Sequence, residues 1–218
     1  MLAKNYRVDV NTSQRRRGWG FEKTGGKYAK KLEFVDGKTV SFGETKLKFS
    51  RPVFHGSPNT PLGWVLMTTI ECEDERALFA PDVQGPMDNN TLRIILAEKP
   101  QLLIIGGPPL YLAGSRVDEQ QILQGLKNLE ALAKSVSIVV VEHHLLRDIE
   151  WRGSVKQVLE SALDAGNKVV TAAEFLGEEN RLLEANRKQL FEDDPPGADF
   201  ERWSKLPAFK QRKTKPPI

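Results

Sequence analysis

A sheet-rich α/β fold, with helices packed outside the sheet, is what this 218-residue sequence predicts from three observations. Short stretches of alternating apolar and polar residues, separated by turn residues, fill the chain up to residue 80. Two fully apolar runs, residues 102–105 and 138–141, have the composition of strands buried on both faces. Between and after them, apolar residues recur at helical spacing. Strand-rich then strand–helix alternation implies a layered α/β architecture.

Taken in order, residues 32–35, the Asp36-Gly37 turn and residues 39–42 predict a hairpin, Asp-Gly being the turn signal. Lys46, Leu47, Lys48 and Phe49 alternate as a half-buried strand does over 46–50. Residues 63–71 and 76–80 predict two further strands joined by the acidic turn Glu73, Asp74, Glu75. Residues 89–99 form a helix with Leu92, Ile95 and Leu96 on one face and Pro100 stopping it. A second amphipathic helix covers 118–135, with Ile122, Leu126, Leu129 and Leu132 in its stripe. A third covers 154–165, closed by Gly166. A short strand at 168–171 and a helical stretch over 173–192, broken at Gly177, complete the pattern. No repeat of fixed period appears.

The expected organisation has three parts. Residues 1–31 are a basic lead segment, irregular or a helix displaced from its neighbours; 32–192 form the domain; 193–218 are a basic, Pro-containing tail expected to be disordered. The net charge of +3 hides this arrangement: the lead carries +7 and residues 201–218 carry +5, which leaves −9 for residues 32–200. Basic ends, with Arg15, Arg16, Arg17, Trp19, Phe21, Trp203 and Phe209, suit nucleic acid or an anionic small molecule, although solvated mobile ends are the commoner meaning. One cysteine, Cys72, excludes an internal disulfide or a Cys-based zinc ribbon. No window is apolar enough to span a membrane and the first residues do not form a signal peptide. A cytoplasmic protein without membrane contact is expected.

The three histidines all follow strands: His55 after Val53-Phe54, and His143 and His144 after the run ending at Val141. Asp82 follows the 76–80 strand in the same way. Strand ends are where α/β folds place ligand groups, and imidazoles with a carboxylate suit zinc, manganese or iron. Single histidines after strands are more often turn or capping residues. Gly106-Gly107-Pro108-Pro109 lacks the Lys-Ser/Thr pair of a phosphate loop and reads as a rigid turn, near which Tyr111 and Arg116 could line a pocket. Ser57, Ser115 and Cys72 have no triad spacing. Glu142 either orients His143 or is a surface group.

Considered together, these residues resemble a family. Phe49-Ser50-Arg51-Pro52-Val53-Phe54-His55-Gly56, Leu78-Phe79-Ala80-Pro81-Asp82-Val83-Gln84-Gly85-Pro86, Ile104-Ile105-Gly106-Gly107-Pro108-Pro109-Leu110-Tyr111, Glu142-His143-His144-Leu145-Leu146-Arg147-Asp148 and Thr171-Ala172-Ala173-Glu174-Phe175-Leu176-Gly177 are similar, in this order, to an archaeal-type hydrolase family of the metallo-β-lactamase superfamily. The resemblance implies an αββα sandwich, of which this chain has the C-terminal half to two-thirds. It further implies hydrolysis of an ester or phosphoester by metal-hydroxide attack. By the same resemblance His55 is a ligand of a first metal, Asp82 the catalytic carboxylate bridging two ions, and His143 a ligand of the second. The ions would be zinc, with manganese or iron as substitutes. The His-x-x-x-Arg spacing from His143 to Arg147 resembles the last motif of the superfamily's tRNA 3′-processing branch, which favours His143 over His144; His144, Arg147, Tyr111 and Arg116 are then groups behind the ligands or substrate contacts.

The sequence departs from that pattern in one respect. The family's His-x-His-x-Asp-His motif would lie upstream of His55, and residues 1–54 contain no histidine. The ligand count therefore predicts weak metal binding and an inactive isolated chain. A truncated start, a separate chain supplying the N-terminal half, or a degenerate homologue would each account for it, and Asn11–Arg17, which resembles an internal helix, tilts toward truncation. The alternative function is a non-catalytic nucleic-acid- or protein-binding module using the basic ends.

Overall fold

Hairpins build one half of the sheet and crossovers build the other. The computed structural model describes residues 1–217 and divides into two units, Met1–Asn180 and the remainder from Arg181. In the first unit, β1 (Leu2–Ala3) lies parallel to β2 (Glu33–Phe34), with helix α1 (Thr12–Lys23) between them in the chain. Then follow β3 (Thr39–Phe42), β4 (Thr45–Phe49), β5 (Val53–Phe54), β6 (Trp64–Val65), β7 (Thr68–Cys72) and β8 (Glu75–Ala80). From there strands and helices alternate: α2 (Asn89–Glu98), β9 (Leu102–Gly106), α3 (Glu119–Ser135), β10 (Ile138–Glu142), α4 (Trp151–Ser154), α5 (Lys156–Asp164), β11 (Lys168–Thr171) and α6 (Ala172–Phe175).

Seven strands form one mixed sheet in the order β11-β10-β9-β8-β7-β4-β3. The β3–β4–β7–β8 part is antiparallel, and β8 through β11 are parallel. The mixed α/β class expected from the sequence is therefore what forms. Each parallel strand is reached from its neighbour through a helix, and such crossovers are right-handed, which stacks α2, α3 and α5 on one face. That face holds Leu78, Leu103, Ile105, Val139 and Val141, all buried, against Ile95, Ile122, Leu129, Leu132 and Val158 of the helices. Ladder register places Leu47, Ile70 and Ala77 in one row and Phe79, Ile104, Val140 and Val170 in another, both on the opposite face. Ile70 and Phe79 are 42% and 40% exposed there.

Several expected elements differ, each for a local reason. The hairpin about Asp36-Gly37 does not form, because β2 takes its partner from β1 and Asp36 accepts a hydrogen bond from Asn5 N at 2.7 Å. The hairpin is β3–β4 instead, closed by Gly43-Glu44, with Gly43 at φ +60° supplying the first position of a two-residue turn. The single strand over 63–71 is two: β6 pairs with β5, and after Leu66-Met67 the chain re-enters the main sheet as β7. The helix over 154–165 is split at Val155, and the one over 173–192 stops at Phe175, with Gly177 at φ +77° two residues on. In the second unit, α7 (Arg187–Asp193) falls within the stretch expected to be helical to 192, and α8 (Ala198–Ser204) and α9 (Ala208–Gln211) occupy the tail expected to be disordered. Trp203 Nε1 donates to Thr214 O at 3.2 Å there.

Truncating a fully buried helix-facing side chain removes both transfer energy and contacts. Leu103→Ala should cost about 2–5 kcal/mol in a denaturant titration, whereas Leu163→Ala, 77% exposed, should stay within about 0.5 kcal/mol.

Candidate metal centre

Parallel pairing aligns the carboxyl ends of three strands: Ala80 lies opposite Ile105, Ile105 opposite Val141, and Gly106 opposite Glu142. The loops leaving β8 and β10 carry Asp82 and the His143-His144 pair, so the sheet itself delivers these groups to one edge. His55 arrives from elsewhere, on the β5–β6 hairpin, whose base is closed by His55 N donating to Gly63 O at 2.9 Å.

The lead segment holds that hairpin in place. Asn11 caps α1 in a capping box with Gln14, and the same Gln14 side chain pairs with the β6 backbone: Nε2 donates to Trp64 O at 2.7 Å and Oε1 accepts from Trp64 N at 3.2 Å. Asn11 Nδ2 adds a bond to Pro61 O at 2.7 Å.

The Asp82 loop is seated on α3. Asp82 and Gln84 both have φ +57°, a left-handed conformation that costs a non-glycine residue roughly 1–2 kcal/mol and that Asp tolerates better than most. Gly85 and Gly125 allow the approach: a Cβ on Gly85 would fall 2.8 Å from Gly125 Cα, and one on Gly125 would fall 2.9 Å from Gln84 O. Gly85 N donates to Gly106 O at 2.9 Å, tying the loop to the end of β9. Buried Asn128 of α3 donates to Pro86 O at 2.9 Å and to Asn89 Oδ1 at 3.0 Å.

The result is a convergence on one atom. Asp82 Oδ1 lies 3.1 Å from His143 Nε2, 3.4 Å from His144 Nε2 and 3.9 Å from His55 Nε2. His143 and His144 pack with ring centroids 4.1 Å apart. The Asp82 carboxyl is pulled down to about 2, chiefly by His144, with His55 and His143 adding to the effect and burial opposing it. His55 titrates below its ordinary value because of burial, which outweighs the attraction of Asp82. The 3.4 Å contact of His144 with Asp82 does not meet hydrogen-bond geometry, and both ring nitrogens of His144 are shielded from solvent without a hydrogen-bond partner. The donor atoms of His55, Asp82 and His144 all lie within 4.8 Å of one another. Two imidazoles and a carboxylate around shielded, unsatisfied nitrogens fit a divalent cation of the zinc, manganese or iron type.

No protein-family model matches the chain. The UPF0282 protein of Aeropyrum pernix is 39% identical to it over 201 residues, which cover 89% of this chain and 68% of that protein. The chain belongs to the UPF0282 family. The UPF0282 proteins of Methanopyrus kandleri (40% over 194 residues) and Korarchaeum cryptofilum (35% over 192) extend the likeness, covering 87% and 88% of this chain and 64% of each relative. This UPF0282 chain thus spans about two-thirds of the length of the curated relatives it matches. Among solved structures, CmlA, a diiron β-hydroxylase from Streptomyces venezuelae, is a distant likeness: TM-score 0.43, 13% identity, 78% of this chain and 38% of that one.

Of the other residues expected at the site of the UPF0282 chain, Arg147 and Tyr111 meet each other. Arg147 donates to Tyr111 Oη at 2.5 Å and its guanidinium lies 5.5 Å from the ring centroid. Arg116 sits in an exposed loop, and none of the described contacts joins it to the histidines. Glu142, with two readings in sequence, lies with Oε1 3.3 Å from His143 Nδ1. Gln14, Asn128, Gly85 and Gly125 were not singled out in sequence. Asn-x-x-Gln at the start of α1 is a capping signal for Gln14, but its second role on β6 lies 50 residues away and leaves no local trace.

Two predictions follow from this geometry. Gly125→Ala forces the Gln84 backbone off α3 and should cost about 1–3 kcal/mol of stability in denaturant titration. Any metal affinity should fall with it, while the same change at Gly20, which meets nothing, should leave both intact. The second concerns acid. Asp82 titrates in the folded protein near 2 against an ordinary 3.8, so its stabilisation is whole above 3.8 and is lost as pH falls toward 2. His55 adds an earlier loss, beginning as pH falls through 6.5. Thermal melting of the metal-free chain across this range should show both stages, and Asp82→Asn should abolish the later one.

Proposed function

We propose that this chain is the metal-binding portion of a metal-dependent hydrolase of the metallo-β-lactamase superfamily, acting on an ester or phosphoester. One observation carries the reading: three imidazoles from two separate hairpin and strand-end loops meet a single carboxylate oxygen within 3.9 Å. Asp82 with His55 and one histidine of the His143-His144 pair would hold the divalent ion. A divalent ion there supplies Lewis acidity and makes water available as a nucleophile near neutral pH. The chain's own residues do the rest. Asp82, ionised down to about pH 2, offers a full negative charge and a second oxygen to orient an incoming water. Glu142 favours the proton on Nδ1 of His143, which leaves Nε2 facing Asp82. Arg147 and Tyr111, four residues beyond His143 and at the end of the β9 loop, provide a cation and a hydroxyl for an anionic substrate.

The incomplete αββα sandwich belongs to this reading. The two in-register apolar rows on the sheet face away from the helices, with Ile70 and Phe79 exposed, support a second layer packing there. That layer, and the ligands of a second ion, would come from the remainder of a longer protein or from a separate chain.

A second reading has its own observation. Helix α1 sets Arg15, Trp19 and Lys23, all exposed, at intervals of four residues along one stripe, an arrangement suited to nucleic acid.

Metal analysis separates them. Purified chain in metal-replete buffer should retain ion removable by EDTA, and added Zn²⁺ or Mn²⁺ at 100 times its Kd should stabilise the fold by about 2.7 kcal/mol. Asp82→Ala should lose both effects. A chain that takes up no ion and shows no thermal shift, yet binds single-stranded RNA in a salt-dependent, EDTA-resistant way, would overturn the hydrolase reading in favour of the second.

A further inference from the structure

We infer that the two adjacent histidines have different tasks: His144, with His55 and Asp82, is the third ligand of one divalent cation held by this chain alone, and His143 is not a ligand but a positioning residue fixed by Glu142 on the open side of the site. The inference rests on the metal reading above and assigns its ligand set in place of the His143 favoured by the spacing to Arg147.

Three observations separate the rings. Spacing is the first. Donors about 2.0–2.2 Å from a common ion cannot be much more than about 4 Å apart, and the set that closes to within 4.8 Å is His55, Asp82 and His144. A contraction of a few tenths of an ångström at each donor brings it onto an ion.

Satisfaction is the second. His143 has a carboxylate near each nitrogen, Glu142 at 3.3 Å from Nδ1 and Asp82 at 3.1 Å from Nε2, and its partly exposed ring is open to water. His144 has only Asp82 near it, 3.4 Å from Nε2, and both of its nitrogens are shielded from water without a hydrogen-bond partner. Leaving a buried donor or acceptor without a partner costs about 1–3 kcal/mol, so the orphaned ring is the one with most to gain from an ion.

Exposure is the third. The His143 side chain is 39% exposed and that of His144 only 11%, so the ring accessible to a bound substrate is the one with a carboxylate beside each nitrogen. His144 lies against His55, ring centroids 6.3 Å apart at 60°, while His143 stacks on its outer side. The arrangement places a closed three-donor set inside and a carboxylate-backed imidazole outside.

The test uses the whole chain, stripped of metal and titrated with Co²⁺, with calorimetry for affinity, elemental analysis for stoichiometry and visible ligand-field absorption for the donor set. Wild type should bind about one equivalent. His144→Ala should weaken binding by about 100-fold or more and change the absorption band, whereas His143→Ala and Glu142→Gln should shift affinity by less than about 10-fold and keep the band. Circular dichroism verifies the fold of each variant, and where His144→Ala does not fold, His144→Gln, closer in size to the imidazole, is read in its place. Equal loss in His143→Ala and His144→Ala, or loss confined to His143→Ala, overturns the division of tasks and leaves the metal reading standing. Two tightly bound equivalents overturn the single-ion assignment. No Co²⁺ uptake by wild type at millimolar concentration overturns the metal reading itself.

Discussion

The position of Asp82 is the constraint on which the rest of the centre depends. Its carboxylate is the one atom group that all three imidazoles share, and it is presented by a backbone held in the left-handed region at residues 82 and 84. Such a loop persists only where its surroundings over-determine it. Here they do so through close approach and hydrogen bonding: two glycines let the loop lie on α3, Asn128 takes Pro86 O, and the end of β9 takes Gly85 N. Helix α3 therefore acts on the chemistry without contributing any ionisable group to it.

The centre also joins two halves of the sheet that are built by different rules. Asp82, His143 and His144 are placed by parallel pairing, which sets neighbouring strand ends level. His55 is placed by a short hairpin that pairs with no strand of the main sheet. A two-residue pairing is weak alone, and the double contact of Gln14 with Trp64 together with Asn11 on Pro61 supplies the missing rigidity. The basic lead segment thus has a structural task at the hairpin that carries His55, whatever its exposed arginines contact.

The apolar runs that became β9 and β10, and the helices with a regular leucine stripe, were legible because burial on both faces and a 3.6-residue period are properties of the local sequence. Hairpin register was not. Asp36-Gly37 and Gly43-Glu44 are both adequate turns, and the choice between them was made by β1, thirty residues upstream, which captured β2. The break after Val65 was equally hidden, since no turn residue interrupts 64–71 and only pairing with two different partners splits them. At the centre, the residue types and their strand-end positions could be read directly. Which imidazole nitrogen meets which oxygen could not, because adjacent histidines have the same spacing rules and differ only in what surrounds each ring.

That difference in surroundings links the site to the sheet's apolar rows. Phe79 and Val140 lie on the sheet face opposite α2, α3 and α5, only three residues before Asp82 and His143 in their strands; Phe79 is exposed there and Val140 buried. Each residue of a strand advances only about 3.3 Å, so a group packed on the exposed Phe79 ring would lie close to the Asp82 loop. The donors of the cluster are thus set by the strand ends and the β5–β6 hairpin, with α3 seating the Asp82 loop, while the same sheet leaves Ile70 and Phe79 exposed on its other face.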